Sequence, residues 1–549
     1  MKLIPSYYEI MSANIPVKKP FLLKFSFCKV ALVLMAVHCL WFFCLSGTGR
    51  AETELKTQDL KESLSGILEN RKKMVALTGI RMITDGDIII EPSQEYHAIT
   101  FPHVAFVYPN GSRLDIGMIA ANAVPTENED SWKITLAIPR PIVKKTAAGI
   151  TEYELDIGSQ RLAGILHVPS GNFIKMDGTL GNVRLTNFQD NIIITVKETD
   201  ILLDFDRDEK SELWNGTAHY KFEDIRYSGN GDITNTIGSA YLRSELRDLS
   251  FKSIQESREE ILNATSRSSG NFGAVEASAL PGFGILGLTT QSPFFAMDFG
   301  SVEFALNNVD LRLQDSLQNT EAAQNNKISL NRISASLQAR NLKTDKAAAK
   351  LSGNLNALNI KNEQSSASKF LPENAEWNII VTDYPAQKVL NNIYKRLTGA
   401  NQNDEQKGRD NPFLEMLAEA GSKLLVQNAS LDNDFYGIRF NGKAQANLSA
   451  AYGGTAQAVL TISNLDSMVK QITRDMQSTQ TEEDKNTNAS STRLLAFLTV
   501  LQIVGKKDGE NDRRYEISVN EEGNVILNDS DLKNVMQMLS APQNGVRAQ

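Results

Sequence analysis

Apolar residues recur along this chain with two different periods, and the changes between them divide it into regions. From about Leu55 to Val75 the period is helical: Leu60, Leu64, Ile67 and Leu68 fall at i, i+4, i+7 and i+8. The charged back of that helix marks it as a stalk or as a lid lying on a sheet. From Ile80 the period becomes two. Leu114, Ile116 and Met118 alternate with Arg113, Asp115 and Gly117, and Trp132, Ile134, Leu136 and Ile138 alternate with Lys133, Thr135 and Ala137. Tyr153, Leu155 and Ile157 repeat the pattern. Such alternation means strands with one buried and one wet face. Turn signals at Pro109-Asn110-Gly111-Ser112, Ser170-Gly171-Asn172 and Asp177-Gly178 separate the strands in the manner of an antiparallel meander, which runs to about Phe251. A charged helix, Lys252 to Asn263, closes this region. Ser268 to Phe304 is a nearly uncharged Gly/Phe/Leu stretch. Strands resume at Val302, Phe304 and Leu306, at Val309, Leu311 and Leu313, and at Ile333, Ala335 and Leu337. Around Gln318 to Asn326 and Asn362 to Ser368 the composition is that of loops.

A different order begins near Trp377. The strand Trp377 to Thr382 passes through Asp383-Tyr384-Pro385 into a helix bearing Val389, Leu390, Ile393 and Leu397. A linker (Ala400 to Asn411), a second helix (Pro412 to Leu424) and strands around Val426, Phe435 to Phe440 and Ala444 to Leu448 follow. The order recurs as strand Ala456 to Ile462, Asn464-Leu465-Asp466, helix Ser467 to Met476, linker Ser478 to Ser490, helix Thr492 to Val504, and strands Tyr515 to Val519 and Val525 to Leu527. This is a degenerate internal repeat. A last helix, Asp531 to Leu539, is capped by Asp529-Ser530. The pattern predicts a β-rich α+β protein: a long curved antiparallel sheet, or meander, with packed helices and a C-terminal strand-helix-helix-strand repeat. Barrel, sandwich and open trough all remain available to such a sheet. The regions are 1–51, a cytoplasmic tail with a signal peptide or anchor; 52–79, the amphipathic helix; 80–267, the meander; 268–376, the apolar loop and further strands; 377–450 and 451–549, the two repeat units, the second with the final helix.

The N-terminal region changes the picture. Val30 to Gly47 is an apolar run interrupted by His38, preceded by Lys18, Lys19, Lys24 and Lys29 and followed by the small-x-small pattern Gly49-Arg50-Ala51. Its 18 residues reach roughly 27 Å as a helix, close to the hydrocarbon thickness of a bilayer. Retention as an anchor and cleavage after Ala51 are both open. All three cysteines, Cys28, Cys39 and Cys44, lie in or beside this run, and His38 and Phe43 before the last two do not make a lipobox. Residues 1–51 carry a net charge of +5, which leaves −13 for the rest of a chain whose total is −8. An acidic, cysteine-free exported part disfavours nucleic acid as a partner and excludes a disulfide framework. The expected home is a Gram-negative periplasm, anchored to the inner membrane or released, with the N-terminus inside.

Candidate chemistry is sparse. Gly282-Phe-Gly-Ile-Leu-Gly287 has the spacing of a dinucleotide loop but follows Pro281 and precedes no helix signal. Asp204-Phe-Asp206-Arg-Asp208 begins like a calcium loop, yet Glu209 and Asn215 stand where the turn glycine and the bidentate glutamate belong. It reads as an acidic hairpin tip. His97, His103, His167 and His219 show no metal spacing, although His97 and His103, six apart, would share a face of one regular strand. Trp132, Trp214 and Trp377 start or flank strands as core anchors. No catalytic, cofactor or metal residues are expected. The uncharged stretch instead suggests an apolar lid or groove made by Phe272, Leu280, Phe283, Ile285 and Leu286, against the alternative that it folds into the interior of the sheet.

Gly454-Thr-Ala-Gln-Ala-Val-Leu-Thr-Ile-Ser-Asn-Leu-Asp466, two helices, Arg514-Tyr-Glu-Ile-Ser-Val and Glu522-Gly-Asn-Val-Ile-Leu-Asn528 resemble Gram-negative envelope proteins with one N-terminal anchor, the YdgA-like and AsmA-like groups. The similar pattern covers about residues 377–540. It implies a periplasmic β-rich protein handling lipid or outer-membrane components. The expectation is therefore a non-enzymatic envelope protein that binds acyl chains or another envelope protein. A structural spacer and a periplasmic hydrolase using Asp204, Asp206 and Asp208 are the alternatives. An alkaline phosphatase fused after Gln549 should be active, because it folds only in the periplasm; activity of a cytoplasmic reporter at the same place would overturn the topology.

Overall fold

The computed structural model describes residues 53–76, 79–229, 234–253, 297–313, 326–361, 371–389, 412–478 and 485–532. The apolar run at Val30 to Gly47, the lid residues Phe272, Leu280, Phe283, Ile285 and Leu286, most of the helix from Lys252 and of the final helix, and the linker 400–411 lie outside the described residues. No helix among the described residues is long and apolar enough to cross a membrane.

Helix α1 (Thr53–Ala76) precedes eight short strands: β1 (Arg81–Asp85), β2 (Ile89–Pro92), β3 (His97–Thr100), β4 (His103–Val107), β5 (Arg113–Gly117), β6 (Ala120–Pro125), β7 (Ser131–Ala137) and β8 (Ile142–Lys145). The long strands follow: β9 (Thr151–His167), β10 (Asn172–Asn187), β11 (Ile192–Arg207), β12 (Trp214–Ser228), β13 (Thr234–Leu249), β14 (Phe299–Leu313) and β15 (Asn326–Arg340). Then come β16 (Ala347–Asn356), β17 (Asn359–Lys361), β18 (Asn374–Tyr384), α2 (Pro412–Glu419), β19 (Lys423–Asp432), β20 (Gly437–Ala446) and β21 (Gly454–Ser463). The last elements are α3 (Leu465–Ser478), α4 (Lys485–Val504), β22 (Lys506–Asp508), β23 (Asp512–Val519), β24 (Val525–Leu527) and β25 (Ser530–Asp531). All strands join one antiparallel, β-rich sheet, as the alternation predicts.

The sheet is a meander from β9 to β16 and on through β18, β19, β20, β21 and β23. At its start it forks. β9 pairs with β8 through Thr151 to Leu155 and with β7 through Leu162 to His167, so that β8-β5-β4-β1 and β7-β6-β3-β2 form two branches. In the gap between the branches the Arg140 guanidinium donates to the carbonyls of Ile157 and Gly158 at 2.6 and 2.7 Å. Gln160 exchanges two hydrogen bonds with the backbone of Ile138. These side chains satisfy backbone groups that no strand reaches. The branches, the long strands and α1 enclose the main core, to which Leu60, Leu64, Ile67 and Leu68 are contributed by the predicted helical stripe.

Each long strand changes the phase of its alternation at one common level. In β10 the buried positions run Met176, Gly178, Leu180 and then Val183, Leu185, Asn187; in β11 they run to Val196 and resume at Thr199; in β12 Phe222 is followed by Ile225. Asn182 and Asp224, within the β10 and β12 pairs, and Asn308, between Leu306 and Val309 of β14, hold left-handed φ angles of 51°, 49° and 52°. Register places Gly158, Asn182, Lys197, Asp224, Gly238, Asn308 and Asn331 in one line across β9 to β15. One residue in αL on every second strand turns the following side chains over, so the same face stays apolar on both sides of the line. A Cβ on Gly158 would stand 2.9 Å from that of Asn182, and one on Gly238 would stand 3.0 Å from that of Asn308, so glycine is needed opposite the kinked residue.

This line corrects one reading from the alternation. Val302 to Leu306 and Val309 to Leu313 are not two strands but the halves of β14, separated by the kink at Asn308. Phe299 to Phe304 likewise belongs to β14 rather than to the Gly/Phe stretch. The strands expected at Phe435 to Phe440 and Ala444 to Leu448 are one strand, β20 (Gly437–Ala446), and α4 starts at Lys485, inside the expected linker. Met118 leaves the inward row of Leu114 and Ile116: Gly117 has φ 88° and ends β5, which leaves Met118 exposed.

The two C-terminal units share connectivity. β18 returns through helical residues to its antiparallel neighbour β19, and β21 returns through α3 and α4 to its antiparallel neighbour β23. Asp383 and Asn464, ahead of the helical segments, have φ of 55° and 59°. For the kink line, Asn308→Gly should change stability little, whereas Asn308→Val should cost about 1–2 kcal/mol in urea unfolding because a β-branched residue resists αL. Equal effects of the two would contradict the assigned role of the kink.

Candidate functional site

From β14 to β23 the apolar face continues beyond the cover of α1 and the short strands. Cross-strand register carries one row through Leu306, Ile333, Leu355 and Ala375, and another through Val302, Leu337, Leu351 and Ile379. The rows go on through Leu431, Ile438 and Ile462 and through Val426, Gly442 and Ala458. A row nearer the strand ends holds Ala339, Ala349, Val381, Leu424, Ala444 and Ala456. The first charge met on these rows is Arg513 of β23, opposite Ile462.

Covered and open parts differ in exposure. Leu180 under the N-terminal cover is 1% exposed, but Leu337, Leu351 and Leu424 on the same face are 49%, 41% and 42% exposed. The open part spans β14 to β21, which at roughly 4.8 Å per strand is about 30 Å wide. An exposed apolar area of this extent exceeds what scattered surface hydrophobics produce. Near its middle the Trp377 indole lies over Gly353, where any side chain would overlap the ring. Glycine and alanine around it make a floor of backbone and aromatic surface rather than a tall packed layer.

Both flanks are built. On one side is the main core under α1. On the other, Met468 and Ile472 of α3 and Leu498 of α4 cover Ile462 and Tyr515. Arg513 reaches Asp466 at the start of α3, 3.1 Å away, and Gln502 of α4 donates to the same carboxylate at 2.9 Å. Burial alone would raise the Asp466 carboxyl, but the hydrogen bonds from Gln502 and Arg513 hold it below the ordinary aspartate range. Arg513 is thereby tied to the cap. A smaller cluster of Phe205, Trp214, Leu249, Met297, Leu342, Ala347 and Ala386 closes one end of the strands.

The opposite face is polar and self-satisfied. Tyr241 donates to Glu303 at 2.6 Å, Asn307 to Ser239 at 2.9 Å, and Ser336 shares a hydrogen bond of 2.8 Å with Ser352. The acidic hairpin lies here: Asp204 and Asp206 flank the Lys175 ammonium at 3.0 and 3.1 Å, and Asp208 accepts from Ser211 in the turn. The structure does not bring the histidines together. His97 and His103 belong to different strands, β3 and β4, because the chain turns between them. His97 packs 5.3 Å from Trp132, and His103 contacts Asp115 at 2.7 Å. His167 contacts the Ser170 hydroxyl at 2.9 Å and the Trp214 ring, and burial lowers its pKa. Among the described residues no group of three metal-ligating side chains converges. Trp132 and Trp214 are core anchors as expected, whereas Trp377 is half-buried on the open face.

Comparison with known proteins finds no matching family model, no matching curated protein and no matching solved structure. If the face is open as described, Leu351→Ser should change the melting free energy by no more than about 0.5 kcal/mol. Leu180→Ala, in the covered part, should cost about 2–5 kcal/mol. Comparable losses in thermal unfolding would mean that the face is covered.

Proposed function

We propose that this chain is a non-enzymatic protein of the bacterial envelope that holds lipid acyl chains on the open apolar face between α1 and the α3–α4 cap. One observation carries the reading: the paired rows of aliphatic side chains between β14 and β21 expose no charge, and Leu337, Leu351, Leu424 and Leu431 among them keep about two fifths or more of their surface in water. A ligand for such a floor needs methylenes and no hydrogen-bonding groups along its length. Each methylene buried contributes about 0.8 kcal/mol, so about ten give roughly 8 kcal/mol before the costs of association. The apolar run near the N-terminus, acting as anchor or export signal, supports a periplasmic site beside a membrane that supplies such chains. The acidic exported part supports acyl chains rather than anionic headgroups as the recognised group.

Native mass spectrometry of the exported chain, purified without detergent, tests this. The wild type should carry acyl lipid, and Leu337→Arg/Leu351→Arg should lose it with the melting temperature little changed. Absence of lipid from the wild type, or its retention in the double variant, would overturn the reading. A protein partner held by the same face in place of lipid would favour docking to another envelope protein.

A further inference from the structure

The polar face holds a second concavity, unrelated to the acyl-chain floor. It has a volume of about 790 Å³, within the size range of small-molecule sites. Register shows that its lining side chains share this face: Ala163, Asp177, Leu202, His219 and Arg243 form one row across β9 to β13, and Lys133, Ile165, Lys175, Asp204 and Thr217 form the next. Two features of the hollow are not used by the fold. Leu202 is 47% exposed between Asp177 and His219 in its row, and Ala163 and Ile165 line the hollow one strand further, beyond Asp177 and Lys175. Arg243 has no ion pair among the described residues, although Lys175 is taken by Asp204 and Asp206, and Asp177 by Arg161 at 3.0 Å. His219 lies between Leu202 and Arg243 in the row.

We infer that this hollow binds a carboxylate with a short apolar body, its head on the Arg243 guanidinium beside His219 and its body on Leu202. A guanidinium fork matches a carboxylate with two parallel hydrogen bonds, and the imidazole adds a neutral donor. The local field has the right sign: burial and the charges of Arg243 and Lys221 hold His219 below its ordinary pKa. Asp177, next to Leu202 in its row, and Asp204, in the adjoining row, are already paired and bar a second anion from the side of the hollow away from Arg243, which limits the ligand to one charged end.

Calorimetric titration of the full exported chain carrying Leu337→Arg/Leu351→Arg, which removes the acyl-chain floor, with octanoate at pH 7 tests the site, with octanol and inorganic phosphate as controls. Octanoate should bind saturably, and octanol and phosphate at least about tenfold more weakly. Arg243→Gln and Leu202→Asp, both at solvent-exposed positions, should each weaken octanoate about tenfold. No octanoate binding, equal binding of octanol or phosphate, or an unaltered affinity in Arg243→Gln would overturn the proposal. Octanoate bound by the wild type but not by this background would assign the octanoate to the acyl-chain floor instead.

Discussion

A sheet whose strands alternate apolar and polar residues has one face that water disfavours, and every strand added to it enlarges the surface to be covered. In this chain the same face stays apolar from the first long strand to β23. The cover comes from the two ends: α1 and the forked short strands at one, the α3–α4 pair at the other. Strands β14 to β21 lie between them, and their leucines are left partly in water. The candidate site is thus a consequence of where the caps end.

The continuity of that face depends on the line of αL residues. Strands of 15 to 17 residues with strict alternation would keep one phase throughout. Here Asn182, Asp224 and Asn308 turn it over, and glycines on the neighbouring strands make room for them. Asn and Asp bear this conformation at low cost because their short polar side chains hydrogen-bond locally, as Asp224 does with Arg226 at 2.9 Å. The polar face gains from the same register, which brings Leu202, His219 and Arg243 into one row.

Period two in β7 and β9 and the helical stripe of α1 were plain in the sequence, because alternation and the i, i+4 spacing are local properties. The kink line was present too, as apolar pairs three apart such as Leu306 and Val309, but a phase change looks like the end of one strand and the start of another. Only cross-strand register shows that the changes align. The open face was not legible at all: Leu180 and Leu337 stand in similar alternating contexts, and the cover that separates 1% from 49% exposure comes from elements far away in sequence. The uncharged Gly/Phe stretch stands out by composition, while the rows of Ala, Leu and Ile between β14 and β21 are ordinary strand residues singly and distinctive only when paired.

Trp377 reports on the central claim directly, since it lies on the open face while Trp132 and Trp214 are each 5% exposed within the covered clusters. In the exported chain with Trp132→Phe and Trp214→Phe, its fluorescence can be followed as phospholipid brominated in the acyl chain is added. An acyl-binding face predicts strong quenching by acyl-brominated lipid, absent when Leu351→Arg is introduced. Emission unaffected by bound brominated lipid, or quenched equally in the Leu351→Arg variant, would contradict it.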